Sequence, residues 1–225
     1  MTNSPLISRY WITTRPSAGR GRNPASAYAV LYWPQYQMAY GRRRIMSRSR
    51  LDWANAPVSG IVLAGEQSRR LGRDKAVEPF LGQPLILRVL QRIAPVISEA
   101  VVVVADAARG RTLPVGADHR IALDLYPNSG SLGGIFSGLA AASSQWSLVV
   151  SCDMPFLNAD LLRHMLALRQ GADAVVPVVE GRPEPTHALY AKACLPFIEQ
   201  RLQAQELKIS GFLTWCGCAT FQSRK

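Results

Sequence analysis

The residues best suited to chemistry gather in one short stretch. Between positions 65 and 75 the chain carries Gly65, Ser68, Arg69, Arg70, Gly72, Arg73 and Lys75, directly after the apolar run Ile61-Val62-Leu63. A strand that opens into a Gly- and Arg-rich loop can bring backbone N–H groups and cations to a phosphate. Glycine lets the backbone approach a ligand closely. Arginine offers a planar fork to phosphate oxygens, and lysine offers a point charge. Gly-Lys-Ser/Thr and Gly-x-Gly-x-x-Gly are both missing, so this is neither a Walker loop nor a dinucleotide fingerprint.

A second chemical position is Asp153. It follows the apolar run Trp146 to Cys152 and precedes Met154-Pro155. A carboxylate at a strand tip is a poor core residue and a good ligand for a hard cation. Magnesium takes one or two carboxylates together with phosphate oxygens and water. The other reading of Asp153 is a loop or capping aspartate, and the other reading of Lys75 is an ordinary exposed lysine. The histidines His119, His164 and His187 are too scattered for a metal cluster.

Several elements must hold these residues. Gly60–Ala64 and Ala100–Ala105 read as buried strands, the latter continuously β-branched as a central parallel strand would be. Arg120–Leu123 suggests a further strand, leading to Asp124. The turn Asn128–Gly134 is glycine-rich and opens a helix over Ile135–Ala142, whose N-terminus suits an anion or a ribose. Trp146–Cys152, Ala174–Val179 and His187–Ala191 complete the strands, with Pro177 arguing for an edge or irregular position. Helices are expected after Gln83-Pro84, after the cap Asn158, and over Cys194–Ala204. This alternation predicts an α/β layered domain with a mainly parallel sheet. Ligands of such sheets bind beyond the carboxyl ends of strands. The loop after Leu63, Asp124, the glycine turn and Asp153 should therefore converge.

Length and composition fit that reading. The chain has 225 residues and is 48% hydrophobic, enough for one sizeable core. No apolar run reaches the ~18 residues of a membrane span. Cys152, Cys194, Cys216 and Cys218 lack the spacing of a disulfide framework or a zinc pair, which points to a reducing, cytoplasmic setting. The net charge of +11 is uneven: residues 1–55 hold nine arginines, no lysine and one acid. Residues 1–55 therefore read as a basic, disordered extension or a start placed too early, with Met46 as the alternative initiator. A transit-like leader and a nucleic-acid tail share that composition. Residues 56–225 read as the catalytic domain.

The run Leu63-Ala64-Gly65-x-x-Ser68-x-Arg70-x-Gly72-x-Asp74-Lys75 resembles the signature loop of the nucleotide-sugar pyrophosphorylase-like nucleotidyltransferases, and most closely that of the molybdenum cofactor guanylyltransferase family. The similarity spans roughly Ser59 to Leu213. It implies a three-layer Rossmann-like sandwich of the nucleotide-diphospho-sugar transferase type. It also implies GMP transfer from GTP to the phosphate of a molybdopterin-type cofactor, with pyrophosphate as leaving group and Mg2+ as cofactor. Under this resemblance Lys75 lies on the triphosphate and Asp153 holds magnesium. Leu63, Ala64 and Gly65 read the purine through their backbone, and Asp124 contacts the nucleotide. Arg69, Arg70 and Arg73 are phosphate-side candidates, and His187 an acceptor-side candidate. The implied partners are GTP, the pterin cofactor, and molybdoenzyme or cofactor-synthesis proteins, for a monomer that touches neither membrane nor nucleic acid.

Three departures from the family pattern stand out. Glu66 replaces a second glycine, Val103 or Val104 stands where an asparagine often contacts the nucleotide, and an Asn-x-Asn-Thr-Pro segment has no counterpart before Lys225. The last leads to the expectation of a shortened C-terminus. Two rivals stay open: a related cytidylyltransferase or other small-molecule nucleotidyltransferase, and a degenerate module that binds nucleotide without turnover.

Overall fold

The structure, a computed structural model, describes residues 56–65, 74–209 and 211, and the backbone of 10–13 and 218–223. In chain order its elements are β1 (Tyr10–Thr13), β2 (Val58–Leu63), β3 (Pro79–Phe80), β4 (Gln83–Pro84), α1 (Leu85–Ile93), β5 (Glu99–Val104), α2 (Ala107–Thr112), β6 (Arg120–Leu123) and α3 (Gly130–Ala141). There follow β7 (Trp146–Ser151), α4 (Ala159–Ala167), β8 (Ala174–Val179), β9 (Arg182–Pro183), β10 (His187–Ala191), α5 (Leu195–Gln203) and β11 (Cys218–Ser223).

The main sheet runs β1-β11-β8-β10-β7-β2-β5-β6, with β9 paired to β8. Strands β7, β2, β5 and β6 form one parallel block, and β10 lies antiparallel between β7 and β8. Burial on both faces explains the unbroken apolar runs. Val62, Val102, Val104, Leu148 and Val150 face one core, with Ile86, Val89 and Ile93 of α1 and Leu162 and Met165 of α4. Ile61, Val101, Val103 and Val149 face the other, with Leu132, Ile135 and Leu139 of α3 and Ile198 and Leu202 of α5. The result is the expected three-layer α/β/α sandwich.

Three details differ from the pattern in the sequence. Helix α3 starts at Gly130, five residues before Ile135, because Gly133 and Gly134 are needed for close packing rather than for a loop. A Cβ on Gly133 would lie 2.7 Å from the Tyr126 carbonyl, and one on Gly134 would lie 3.1 Å from Leu63. Pro177, by contrast, takes an irregular position, as its type suggests: it sits where the partner of β8 changes from β10 to β9. Helix α2 has no apolar stripe and was not expected. Finally, the segment before residue 56, expected to stand outside the fold, supplies β1 antiparallel to β11, and its Tyr-Trp-Ile-Thr run has high strand propensity. The rest of that segment lies outside the described residues.

At the amino edge of the sheet Glu99 ties three elements together. Its Oε1 accepts from Ser59 Oγ at 2.5 Å and from the Ser143 N–H at 2.6 Å, while Oε2 pairs with Arg120 at 3.2 Å. Burial pushes this carboxyl up, but the bonds from Ser143, Ser59 and Arg120 outweigh it and hold it at about 2 against an ordinary 4.5. A depressed carboxyl stabilises the fold above its unfolded value, and that stability is lost as pH falls through the folded one. The acid limb of the stability curve between pH 4.5 and about 2 should therefore flatten in Glu99→Gln, read as urea midpoints against pH.

Candidate active site

Because β2 pairs in parallel with β5 on one side and β7 on the other, the chain order across the parallel block reverses at β2. The crevice of such a sheet opens beyond the carboxyl ends at that reversal. Ladder bonds continue past the strand ends and fix what stands there. Ala64 N–H donates to Val103 O at 2.8 Å, Cys152 N–H to Leu63 O at 3.1 Å, and Asp124 N–H to Val104 O at 2.8 Å. A cleft of about 870 Å3 lies over these ends, with Leu63, Gly65, Lys75, Asp124 and Asp153 on its wall. That size is within the range of small-molecule sites.

Lys75 and Asp153, 78 positions apart, meet in this cleft with Nζ 3.2 Å from Oδ2. Both are only partly covered, at 41% and 37% side-chain exposure. Ser151 Oγ donates to Asp153 Oδ1 at 2.6 Å. Burial pushes the Asp153 carboxyl up, but the bonds from Ser151 and Lys75 prevail and hold it below the usual carboxylate range. The cleft thus presents an ionised, oxygen-only donor beside a primary amine. That set fits a hard cation completed by phosphate and water; among the described residues no cluster of three His, Cys, Asp or Glu offers a protein-only metal cage. Cys152, next to Asp153, is no nucleophile: burial and then the Asp153 charge push its thiol up to about 11.

Asp124 is oriented by the turn below α3. Its Oδ1 accepts from Tyr126 N–H at 3.0 Å and lies 2.9 Å from Ser137 Oγ. Ser137 Oγ in turn accepts from Leu125 N–H at 2.8 Å. The turn itself uses positive φ at Asn128 (69°) and Gly130 (58°).

Ala64 is buried, and both its backbone groups already have partners: Val103 O for its N–H, and Arg109 Nε, at 3.2 Å, for its carbonyl. Its side of the cleft is lined instead by Leu63 and Gly65. His187 starts β10 beside Val150 of β7, behind Thr186, which does line the cleft. Burial lowers the His187 pKa, which favours neutral imidazole, and its Nε2 has no partner among the described residues. Arg69, Arg70 and Arg73, together with Glu66, lie outside the described residues.

Sequence reasoning missed Arg109. Its side chain is only 3% exposed, and its guanidinium grips the Asp74 carboxylate with both terminal nitrogens, Nη2 at 2.6 Å from Oδ1. Asp74 in turn caps the turn Lys75–Val77 by accepting from Ala76 N–H at 3.1 Å. The signal in sequence was faint: one arginine three residues after the capping Asp106.

In Lys75→Met the upward push of burial on Asp153 stays and one opposing bond goes. Its carboxyl should therefore titrate at higher pH than in wild type, measured by carboxyl 13C NMR; an unchanged titration would contradict the coupling.

Comparison with known proteins agrees with this geometry. Residues 60–214 match the model of the MobA-like NTP transferase domain. Over 154 residues the chain is 34% identical to a probable molybdenum cofactor guanylyltransferase of Pelotomaculum thermopropionicum, covering 68% of this chain and 73% of that protein. The crystal structure of molybdopterin-guanine dinucleotide biosynthesis protein A from Archaeoglobus fulgidus superposes with a TM-score of 0.64 at 27% identity, covering 73% of this chain and 83% of that one. CMP:2-keto-3-deoxy-manno-octonic acid synthetase, at 13% identity and a TM-score of 0.60 over 74% of this chain and 90% of its own, shares the fold. With a strand-to-loop signature, a switch-point cleft and these relatives in agreement, the chain belongs to the MobA-like NTP transferase domain family.

Proposed function

We propose that this chain transfers GMP from GTP to the phosphate of a molybdopterin-type molybdenum cofactor and releases pyrophosphate. The observation that carries the proposal is the meeting of Lys75 and Asp153 in one cleft at the switch point of the sheet. The names of the relatives supply the substrates: a guanylyltransferase of the molybdenum cofactor and a protein of molybdopterin-guanine dinucleotide biosynthesis.

In this reading an oxygen of the acceptor phosphate attacks the α-phosphorus of GTP. The bond from that phosphorus to the bridging oxygen breaks, and pyrophosphate leaves with the electron pair. Such a transfer asks the protein for positioning and charge stabilisation more than for covalent help. Lys75 places its ammonium on the triphosphate, and the arginines 69, 70 and 73 are the further cations proposed on that side. Asp153 would hold a magnesium ion, whose charge offsets that of the triphosphate and the departing pyrophosphate. Ser151 keeps the Asp153 carboxylate aimed and ionised. Leu63 and Gly65 flank the base, Asp124 and the N-terminal turn of α3 take the sugar side, and His187 stands toward the acceptor. Among the described residues Cys152 and Cys194 are buried and not joined in a disulfide, in keeping with the proposed cytoplasmic setting. Among the described residues no helix is long and apolar enough to cross a membrane.

The test is pyrophosphate release from GTP with magnesium and molybdopterin. Release should need the divalent ion, should exceed that with CTP, and should fall by about 10²–10³ in Asp153→Asn, as for removal of a preorganised electrostatic group. Release with CTP but not GTP, or an Asp153→Asn variant of undiminished rate, would overturn the assignment.

A further inference from the structure

In sequence, residues 65–73 stand between Ala64 and Asp74, and one buried side chain holds both of these flanking residues. Arg109 donates through Nε to the carbonyl of Ala64, immediately before that stretch, at 3.2 Å. It donates through both terminal nitrogens to the carboxylate of Asp74, immediately after it. Arg109 is itself anchored, since its backbone N–H donates at 2.8 Å to Asp106 Oδ1, the cap of α2 just beyond β5. Ala64 and Asp74 are therefore held together by one side chain anchored beside β5.

Burying a guanidinium is costly unless it is paired and hydrogen-bonded. Here the planar fork meets a carboxylate and its third edge meets a carbonyl. Lysine, a single point charge, cannot reproduce that set. Arg109 also connects two functional walls, because Gly65 follows Ala64 and Lys75 follows Asp74. We propose that Arg109 is a positioning residue that staples Ala64 to Asp74, setting the distance between the base-side backbone and Lys75. This role rests on the transfer reading only for its kinetic consequence; the staple itself is a property of the protein without nucleotide.

A single Arg109→Met variant strands a carboxylate and can fail to fold. The test therefore uses the double variant Arg109→Met/Asp74→Asn, which removes both charges while leaving an amide oxygen that can still cap the turn. Alongside it goes Arg109→Lys, which keeps the charge without the fork. In hydrogen exchange of the nucleotide-free protein, amides of residues 64–76 should exchange at least about tenfold faster in both variants, with those of β2, β5 and β7 unchanged. In turnover, kcat should fall by up to about 10²-fold with a smaller change in KM for GTP, the cost of misplacing a group by an ångström. The proposal is overturned if exchange in 64–76 stays at the wild-type rate in a folded variant. It is also overturned if exchange rises equally across the whole sheet, as loss of general stability would give, or if kcat and KM are unchanged. A wild-type chain that releases no pyrophosphate from GTP sinks the transfer reading instead, and the exchange comparison then decides the staple alone.

Discussion

The parallel pairing of β2 with both β5 and β7 is the constraint from which the site follows. Once β2 lies at the centre of the parallel block, its carboxyl end is flanked by two neighbours whose own carboxyl ends lie on the same edge. Residues that are distant in sequence become neighbours with no further device. Lys75 comes from the return of the first loop and Asp153 from the tip of the fourth strand of the block. Their contact needs only that each strand end where its apolar run ends. The opposite edge has a different job: there Glu99 gathers Ser59, Ser143 and Arg120 into a closed hydrogen-bonded knot.

The electrostatics of the two ion pairs near the cleft divide labour in a similar way. Asp74 and Arg109 are largely covered, and a covered, bidentate pair is costly to take apart by removing one partner. Lys75 and Asp153 remain partly in water, where a pair is worth little and its members are readily separated. In the proposed reading a triphosphate with its counter-ion enters between them without breaking the scaffold behind. The rigid pair frames the labile one, since Asp74 is the immediate neighbour of Lys75.

Most of the sheet was legible because its strands are apolar on both faces and flanked by turn residues. Asp153 was legible because a carboxylate directly after such a run has no place in a core. Helix α3 was read five residues short because Gly130, Gly133 and Gly134 look like loop residues. Gly130 supplies a positive φ, while the use of Gly133 and Gly134 depends on Asp124, Tyr126 and Leu63, which no local pattern connects to them. Helix α2 was invisible for a related reason: it has six residues, includes Gly110, and buries an arginine rather than an apolar stripe. The meaning of Arg109 lies in Asp74, 35 positions away, and in a carbonyl 45 positions away. Pairings of that kind are tertiary facts, and a single sequence holds no trace of them.

The central claim is that one nucleotide bridges Lys75 and a metal ion on Asp153. The direct measurement is anomalous diffraction from crystals grown with Mn2+ and a GTP analogue whose α–β bridging oxygen is replaced by a non-cleavable group. An anomalous peak is expected within about 2.5 Å of the Asp153 carboxylate, with the triphosphate against Lys75 and the base toward Gly65. A peak remote from Asp153, or a nucleotide lying with its base on the Lys75–Asp153 pair, would contradict it.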